Sequence, residues 1–305
     1  MAFLNSRIEE LASAEGAEPR RDPRKRHRAL RRFARNPYNI AGAVLIAVFL
    51  LAALFADLVS PYPPNQISLA NTFDPPDARF WFGTDHLGRD ILSRIIHGSR
   101  VACAVSFGAV GLAMLFGVTL GMIAGYTDTW IRDAIMRVMD ALWAFPSIIL
   151  ALTIAAVLGP SLGNIILAVG ITYTPAFARV MFAQVISLRE ETFVEAARAA
   201  GARDRQILAH HIFPNTVAAL TVYGSIMAAE AIIAEAGLSF LGAGVTPPQA
   251  AWGSMLRLGY PYLQQAPWIA IFPGCAIFFL VLAFNFLGDG IRDAMDVRLA
   301  DSQRR

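Results

Sequence analysis

Long apolar stretches without charged residues alternate along the chain with short polar segments. The first covers residues 40–56 and extends to Val59 if Asp57 lies at an interface, and the second covers residues 101–127. A helix needs about 20 mainly apolar residues to cross about 30 Å of hydrocarbon. Because backbone groups in lipid must bond within their own segment, uninterrupted stretches of this length predict spanning helices rather than barrel strands.

Three later stretches complete the pattern. Residues 141–178 are uncharged and long enough for two spans, with a Gly- and Pro-containing break at 159–163. Residues 216–244 are apolar apart from two glutamates, and residues 258–288 are again uncharged. The sequence therefore predicts an all-α integral membrane protein with six transmembrane helices.

Composition agrees with a membrane protein and excludes one class of enzyme. Hydrophobic residues make up 56% of the chain and charged residues 16%, against about 25% charged in soluble domains. The single lysine, Lys25, follows an arginine, so a phosphate-binding GxxxxGK[ST] loop is impossible. Cys103 and Cys275 lie in apolar stretches and form neither a disulfide framework nor a metal cluster. We expect no catalytic residues, no metal, no cofactor held by this chain and no nucleic-acid partner.

Basic residues predict the orientation of the spans, because loops on the cytoplasmic side carry an excess of Lys and Arg. Residues 1–35 hold ten of the 26 basic residues. With six spans both termini share one side, and placing them in the cytoplasm leaves 21 basic residues inside and five outside. Residues 60–100 are the weak point, with four arginines on the outer side. We expect an uncleaved first span, since the basic lead is too long for a signal peptide.

The predicted organisation has four parts. A basic cytoplasmic tail covers residues 1–35, and the first span with an outer segment covers 36–100. A core of five spans covers 101–290 and includes a cytoplasmic loop at 187–215, and a second cytoplasmic tail covers 291–305.

Glycines mark one face of the second predicted span. Gly117, Gly121 and Gly125 are each one helical turn apart. Small residues at this spacing let helix backbones approach closely in lipid. The sequence predicts that this face packs against another helix.

The loop at 187–215 predicts two helices and a turn at the membrane face. Ser187 and Glu190 have capping-box spacing, and the residues up to Ala200 favour helix. Gly201 is able to adopt positive φ and end this helix, and a second short helix is expected to stop near Pro214. Its small alanine side chains leave a flat surface, so the residues alone are equally consistent with a docking element and a plain interfacial hairpin.

The same loop resembles the cytoplasmic signature of ABC importer permeases, which reads E-A-A, three residues, G, nine residues, I-x-L-P. His211 takes the position of the isoleucine and Phe213 that of the leucine, with Ile212 between them. The residues that we assign to this signature are Glu195, Ala196, Ala197, Gly201, Ile212 and Pro214.

Two further stretches are similar to the dipeptide/oligopeptide (C-type) branch of the binding-protein-dependent transport inner membrane component family. One is FGTDHLGRDILSR at 82–94. The other is EAGLSFLG at 235–242, followed by PP at 247–248 and WGSML at 252–256. With the loop signature, the resemblance runs from about residue 35 to about residue 298.

This resemblance implies a permease subunit in the bacterial inner membrane that forms half of a translocation path for dipeptides or oligopeptides. The implied partners are a homologous second permease subunit, two ATPase subunits that bind ATP-Mg, and a periplasmic or extracellular solute-binding protein. Loop 190–215 would seat in a groove of an ATPase, with Glu195 and Gly201 shaping the contact. Arg198, Arg203 and Arg205 would pair with acidic groups there. Nickel and glutathione importers share this subunit type, so those cargoes stay open.

Two glutamates interrupt the fifth predicted span. Ionisable residues inside a membrane are functional candidates by default. Glu230 and Glu235 are therefore candidates for the translocation path or its gate, and a carboxylate there would attract a peptide ammonium group. The alternative is a structural role through pairing with Arg179 or a backbone donor.

Two other protein classes stay open. A secondary transporter would also have six spans with buried carboxylates, but it would leave the signature loop unexplained. A membrane hydrolase would use Ser161, whose surroundings match G-x-S-x-G. That motif needs a preceding strand, and His210 and His211 are predicted on the opposite side of the membrane, so residues 159–163 indicate a turn.

Overall fold

The computed structural model describes residues 36–302, so the predicted basic tail with Lys25 and the last three residues lie outside the described part. Helices connected by loops make up this part. Their bounds are α1 (Pro37–Leu54), α2 (Ala56–Val59), α3 (Ile91–Tyr126), α4 (Trp130–Trp143), α5 (Ser147–Leu158), α6 (Leu162–Arg189), α7 (Thr192–Ala199), α8 (Asp204–Gln206), a π-turn (Ile207–Ile212), α9 (Phe213–Leu241), α10 (Trp252–Gly259) and α11 (Trp268–Ser302).

Five helical segments are long and apolar enough to cross a membrane, namely α1, α3, α6, the continuous stretch from α8 to α9, and α11. A sixth span is present if α4 and α5, which meet at a 92° bend, are counted together. The all-helical prediction is confirmed. The third predicted span, the part of residues 141–178 before the break at 159–163, contains α5. A bend separates α5 from α4, because Pro146 at the start of α5 lacks a backbone N–H and disfavours helix at the preceding residue.

The glycine face of α3 packs directly on α6, as predicted. A Cβ atom added at Gly121 would lie 2.3 Å from the backbone oxygen of Ala178, and one at Gly117 would lie 2.6 Å from that of Thr174. Gly125 similarly faces the side chain of Val185. The two backbones can approach this closely only because these three positions lack side chains.

Residues 60–99 pack against residues 252–272, which comprise α10, the turn after it and the first turn of α11, and we call these two segments the outer cap. Trp268 Nε1 donates to the carbonyl oxygen of Thr84 at 3.1 Å. The Phe82 and Phe272 rings stack with centroids 4.1 Å apart. Both segments were predicted on the outer side of the membrane, and their contact places them on the same side.

The helix α3 begins ten residues before its uncharged stretch. Asp90 caps it by accepting a hydrogen bond from the backbone N–H of Ser93 at 2.8 Å. The helix has 36 residues and a length of about 54 Å, so it is longer than the hydrocarbon is thick. Its first turns belong to the outer cap, where Trp252 Nε1 donates to the Ile95 carbonyl at 3.0 Å.

Candidate functional site

The candidate site is the hairpin formed by α7, α8 and the π-turn, residues 192–212. The predicted capping box at Ser187 and Glu190 is wrong, because α6 runs on to Arg189 and encloses Ser187. The helix α7 starts after Glu191, whose backbone is extended and whose side chain makes no capping bond. A single residue, Glu190, therefore separates the end of α6 from the N-cap of α7.

Gly201 ends α7 as the sequence predicted. Its φ is +83°, a conformation that glycine adopts at little cost. The N–H of Gly201 donates to the carbonyl of Arg198, and the N–H of Ala202 donates to that of Ala197, both at 3.0 Å. These two bonds form a Schellman motif, which satisfies the last carbonyls of a helix and reverses the chain.

The second helix of the hairpin continues past Pro214, so the predicted stop is wrong. The π-turn leads directly into α9, and Pro214 occupies the first turn of that helix, where an N–H has no intrahelical partner in any case. The Asn215 side chain donates to the carbonyl of His211 at 2.6 Å. The hairpin is thus a rigid extension of the long helix α9.

Three apolar side chains fasten the hairpin to the helical bundle. Val194, Ile207 and Ile212 are fully buried in the core. Ile212 therefore anchors the hairpin instead of presenting a contact surface, and Ala197 is half-buried. The other candidate residues are exposed, namely Glu195, Ala196, Arg198, Gly201, Arg203, Arg205 and Pro214.

A polar contact that the sequence did not reveal ties the hairpin to α3. Tyr126, the last residue of α3, donates from its hydroxyl to Asp204 Oδ1 at 2.7 Å. The Tyr126 hydroxyl also interacts with Arg198, and this interaction holds the pKa of Arg198 above its usual value. These partners are 72 and 78 positions from Tyr126 in the chain, which is why local sequence patterns do not predict them.

A second polar contact joins the ends of α3 and α6. Asp128 accepts from Arg189 at 2.9 Å and from Arg132 at 3.2 Å. The bond from Arg189 is the largest cause that keeps the pKa of Asp128 below its usual value. The base of the hairpin is therefore attached to the packed α3–α6 pair.

The two glutamates of α9 occupy different environments. Glu235 is 1% exposed and accepts a hydrogen bond from Ser239 Oγ at 2.6 Å. Glu230 is exposed on this chain, because five residues correspond to a rotation of about 140° around a helix. The structure pairs Arg179 with Asp140 at 2.7 Å, and therefore gives no support to the alternative pairing of Arg179 with a glutamate.

Other candidate chemistry is absent from the described residues. Ser161 is the N-cap of α6 and accepts from the backbone N–H of Asn164 at 3.1 Å. It follows the helix α5 and not a strand, as expected for a turn rather than a nucleophile elbow. Among the side chains that the structure describes, those of residues 36–294, no group of three or more His, Cys, Asp or Glu is arranged to hold a metal ion.

Comparison with known proteins matches nearly the whole chain. Residues 117–301 match the family model described as "Binding-protein-dependent transport system inner membrane component", and residues 26–76 match "N-terminal TM domain of oligopeptide transport permease C". The chain is 44% identical over 271 residues to the dipeptide transport system permease protein DppC of Alkalihalophilus pseudofirmus, covering 89% of each chain. It is 42% identical over 274 residues to the glutathione transport system permease protein GsiD of Escherichia coli, covering 90% of each.

The family match has direct consequences. Such a component is a multi-pass protein of the inner membrane, has no catalytic activity of its own, and works with ATPase and binding-protein partners. The family model covers more than half of the chain, and the relatives exceed 40% identity over about nine-tenths of it. This chain belongs to the family of inner membrane components of binding-protein-dependent transport systems.

Proposed function

We propose that this permease imports dipeptides, short oligopeptides or glutathione, forming one half of the translocation path beside a homologous second permease subunit. Two ATPase subunits with bound ATP-Mg drive it, and a solute-binding protein outside the membrane delivers the cargo. Support comes from the relatives, which are named as permeases for dipeptides and for glutathione. Glutathione is itself a tripeptide, so one cargo class accommodates both names.

The hairpin is the contact through which the ATPase subunit acts on this chain. One observation supports this role above the others: the hairpin is buried on one side by Val194, Ile207 and Ile212, while its other side is exposed. Because the hairpin is rigid and anchored in the bundle, a movement of the ATPase subunit would be transmitted through it to the helices. Glu195, Ala196 and Gly201 shape the docking surface, and Arg198, Arg203 and Arg205 pair with acidic groups of the ATPase.

The coupling role is tested with Gly201→Asp. At φ +83° a side chain costs about 1–2 kcal/mol, and the new carboxylate would lie among the arginines that face the ATPase. We expect normal membrane insertion with loss of peptide uptake and of substrate-stimulated ATP hydrolysis. Gly163→Asp is the matched control, since Gly163 also has open space around it but ordinary backbone geometry. Normal uptake by the Gly201 variant would contradict the coupling role.

The glutamates of α9 serve the translocation path or its gate. Glu230 is exposed on this chain, and Glu235 is buried beside Ser239. We expect Glu230→Gln to weaken uptake of peptides with a free amino terminus more than uptake of amino-acetylated peptides. We expect Glu235→Gln to lower transport of both. If both variants transport normally, neither carboxylate serves the path.

Cargo is tested with the complete transporter reconstituted in proteoliposomes with its binding protein. Uptake of labelled dipeptide, tripeptide, glutathione and Ni²⁺ is compared with ATP present and absent. ATP-dependent uptake of one or more of the peptides is the expected result. ATP-dependent uptake of Ni²⁺ alone would overturn the peptide assignment, and uptake driven by an ion gradient without ATPase would overturn the transporter class.

A further inference from the structure

A groove opens at the inner ends of α1 and α11, away from the hairpin. Its volume is about 600 Å³. The Tyr38 and Phe286 rings, with centroids 5.5 Å apart, form an apolar side of the groove, and Tyr38 is 63% exposed. The residues that line the groove are Asn36, Tyr38, Asn39, Phe286, Asp289, Arg292 and Asp293.

The groove carries more negative than positive charge. Asp289 and Asp293 are four residues apart, so they lie one turn apart on the same face of α11. Both are exposed, and among the described side chains of residues 36–294 neither forms an ion pair. Arg292 is the basic residue among the lining residues. The groove therefore favours a cationic occupant with some apolar surface.

The chain itself supplies such an occupant at the edge of the groove. Asn36 lines the groove and caps α1 by accepting from the N–H of Tyr38 at 3.1 Å. Residues 24–35, directly before it, contain seven basic residues, no acidic residue and the apolar Phe33. This segment lies outside the described residues, and its twelve residues reach at most about 40 Å.

We propose that the basic segment 24–35 occupies this groove, with its arginines paired to Asp289 and Asp293 and Phe33 against Tyr38. A single exposed ion pair contributes little to stability. Here several pairs form together, and the short tether keeps the segment at millimolar effective concentration. The segment then acts as a latch that holds the inner end of α1 against α11, and this role does not depend on the cargo or on the coupling hairpin.

Zero-length carbodiimide cross-linking tests the latch in the complete transporter, held in discs of neutral lipid. The chain has one lysine, so Arg32→Lys places a second side-chain amine within the segment while preserving its charge. Mass spectrometry should identify an amide between that amine and Asp289 or Asp293. Asp289→Asn/Asp293→Asn removes the carboxylates that carbodiimide activates, so no amide can form at these positions and this variant serves as the negative control for the assignment, whereas Asp133→Asn, which removes an exposed carboxylate in α4, should leave the yield unchanged.

Salt supplies a second measurement that does not depend on the assembly of the double variant. Raising the ionic strength from about 0.05 M to about 0.5 M should lower the cross-link yield severalfold, because exposed ion pairs are screened. A yield that is unaffected by salt would overturn the proposal. Cross-links mainly to an ATPase subunit, or tail protection from trypsin that requires anionic lipid, would assign the segment to another surface and would equally overturn it.

Discussion

Arginines on the outer side of the membrane have structural partners in this protein. Arg89 bonds Asp85 at 2.7 Å, and both side chains are 6% exposed. The buried Arg94 donates to the carbonyl of Pro64 at 3.0 Å. These arginines weaken the positive-inside pattern of the sequence. Their hydrogen bonds and ion pairs order the outer cap, which is a structural reason for arginines at these positions.

Asp57 in α2, the short helix that follows α1, is the acceptor that links α2 to α3. Arg100 Nη2 lies 2.8 Å from Asp57 Oδ2, and His97 Nε2 lies 3.1 Å from Asp57 Oδ1. The bond from Arg100, followed by that from His97, holds the pKa of Asp57 below its usual value of 3.8. A carboxyl with a lowered pKa stabilises the folded state above its unfolded pKa, and this contribution is lost as pH falls through the folded pKa.

We therefore expect Asp57→Asn to lower the unfolding temperature of the purified complex at pH 7, and the difference from wild type to shrink only below pH 3.8. High salt should reduce the same difference, since the pair is exposed. Thermal unfolding of both proteins between pH 3 and pH 8 measures how the difference in unfolding temperature depends on pH. Asp133→Asn provides the control, and a difference that stays constant across the whole range would contradict the ionic role of Asp57.

At the scale of elements, the α3–α6 pair is the rigid centre of the described helices. Its glycine face removes the side chains that would separate the backbones. Overpacking such a contact destabilises a protein by about 1–3 kcal/mol. The same pair carries Tyr126 and Arg189 at its inner end, so its rigidity supports the base of the hairpin.

Gly121→Val should lower the apparent unfolding temperature by several degrees, because its Cβ alone would lie 2.3 Å from the Ala178 oxygen. Gly111→Val is the matched control in the same helix, since no atom lies within 4 Å of a Cβ at Gly111. Thermal unfolding of both variants in detergent compares them. Equal unfolding temperatures would show that α3 and α6 do not pack through this face.

Tyr126→Phe should weaken coupling without preventing assembly. The variant loses the hydrogen bond to Asp204, a contribution of about 1 kcal/mol for an exposed pair. The hairpin remains attached by its buried apolar residues, so the expected result is fewer peptides transported per ATP hydrolysed. Tyr260→Phe, with an exposed ring at the outer cap, serves as the control. An unchanged ratio of peptides transported to ATP hydrolysed would show that Tyr126 does not transmit movement of the hairpin to α3.

At the scale of the whole molecule, the surface is strongly apolar. Large side chains such as Leu58, Val157 and Trp130 are about three-quarters or more exposed on the isolated chain. Exposed apolar surface of this extent is covered by lipid or by protein. The permease is therefore complete only in a bilayer and beside its partners.

The sidedness of the molecule predicts a labelling pattern. In a Cys103→Ala/Cys275→Ala background, Gln66→Cys in the outer cap should react with a membrane-impermeant maleimide in intact cells. Ala200→Cys in the hairpin should react with the same maleimide only after the membrane is permeabilised. Both positions are exposed on this chain, so when the chain is expressed without the ATPase subunits, access through the membrane is the difference between them. Labelling of the hairpin in intact cells would reverse the orientation and remove the basis for ATPase docking.

Sequence patterns predicted much of the hairpin itself, but they predicted less of how the hairpin is attached to the helical bundle. The φ of Gly201, the turn at 159–163 and the glycine face of α3 follow from local chemistry, and each was confirmed. The helix continuing past Pro214 was mispredicted, because a proline ends a helix only when its position is interior. The hydrogen bond from Tyr126 to Asp204 could not be predicted from local sequence patterns, since 78 positions separate the two residues.

The amino-acid sequence is enough to predict a helical protein that lies in a membrane, because the length of an apolar stretch and the need to satisfy backbone groups in lipid are local properties. It also determined where the hairpin turns, through one glycine. Only the tertiary structure decided that Ile212 is an anchor and that Glu235 is buried while Glu230 is exposed. Burial depends on which helix faces pack together, and that choice is made by contacts between residues far apart in the chain.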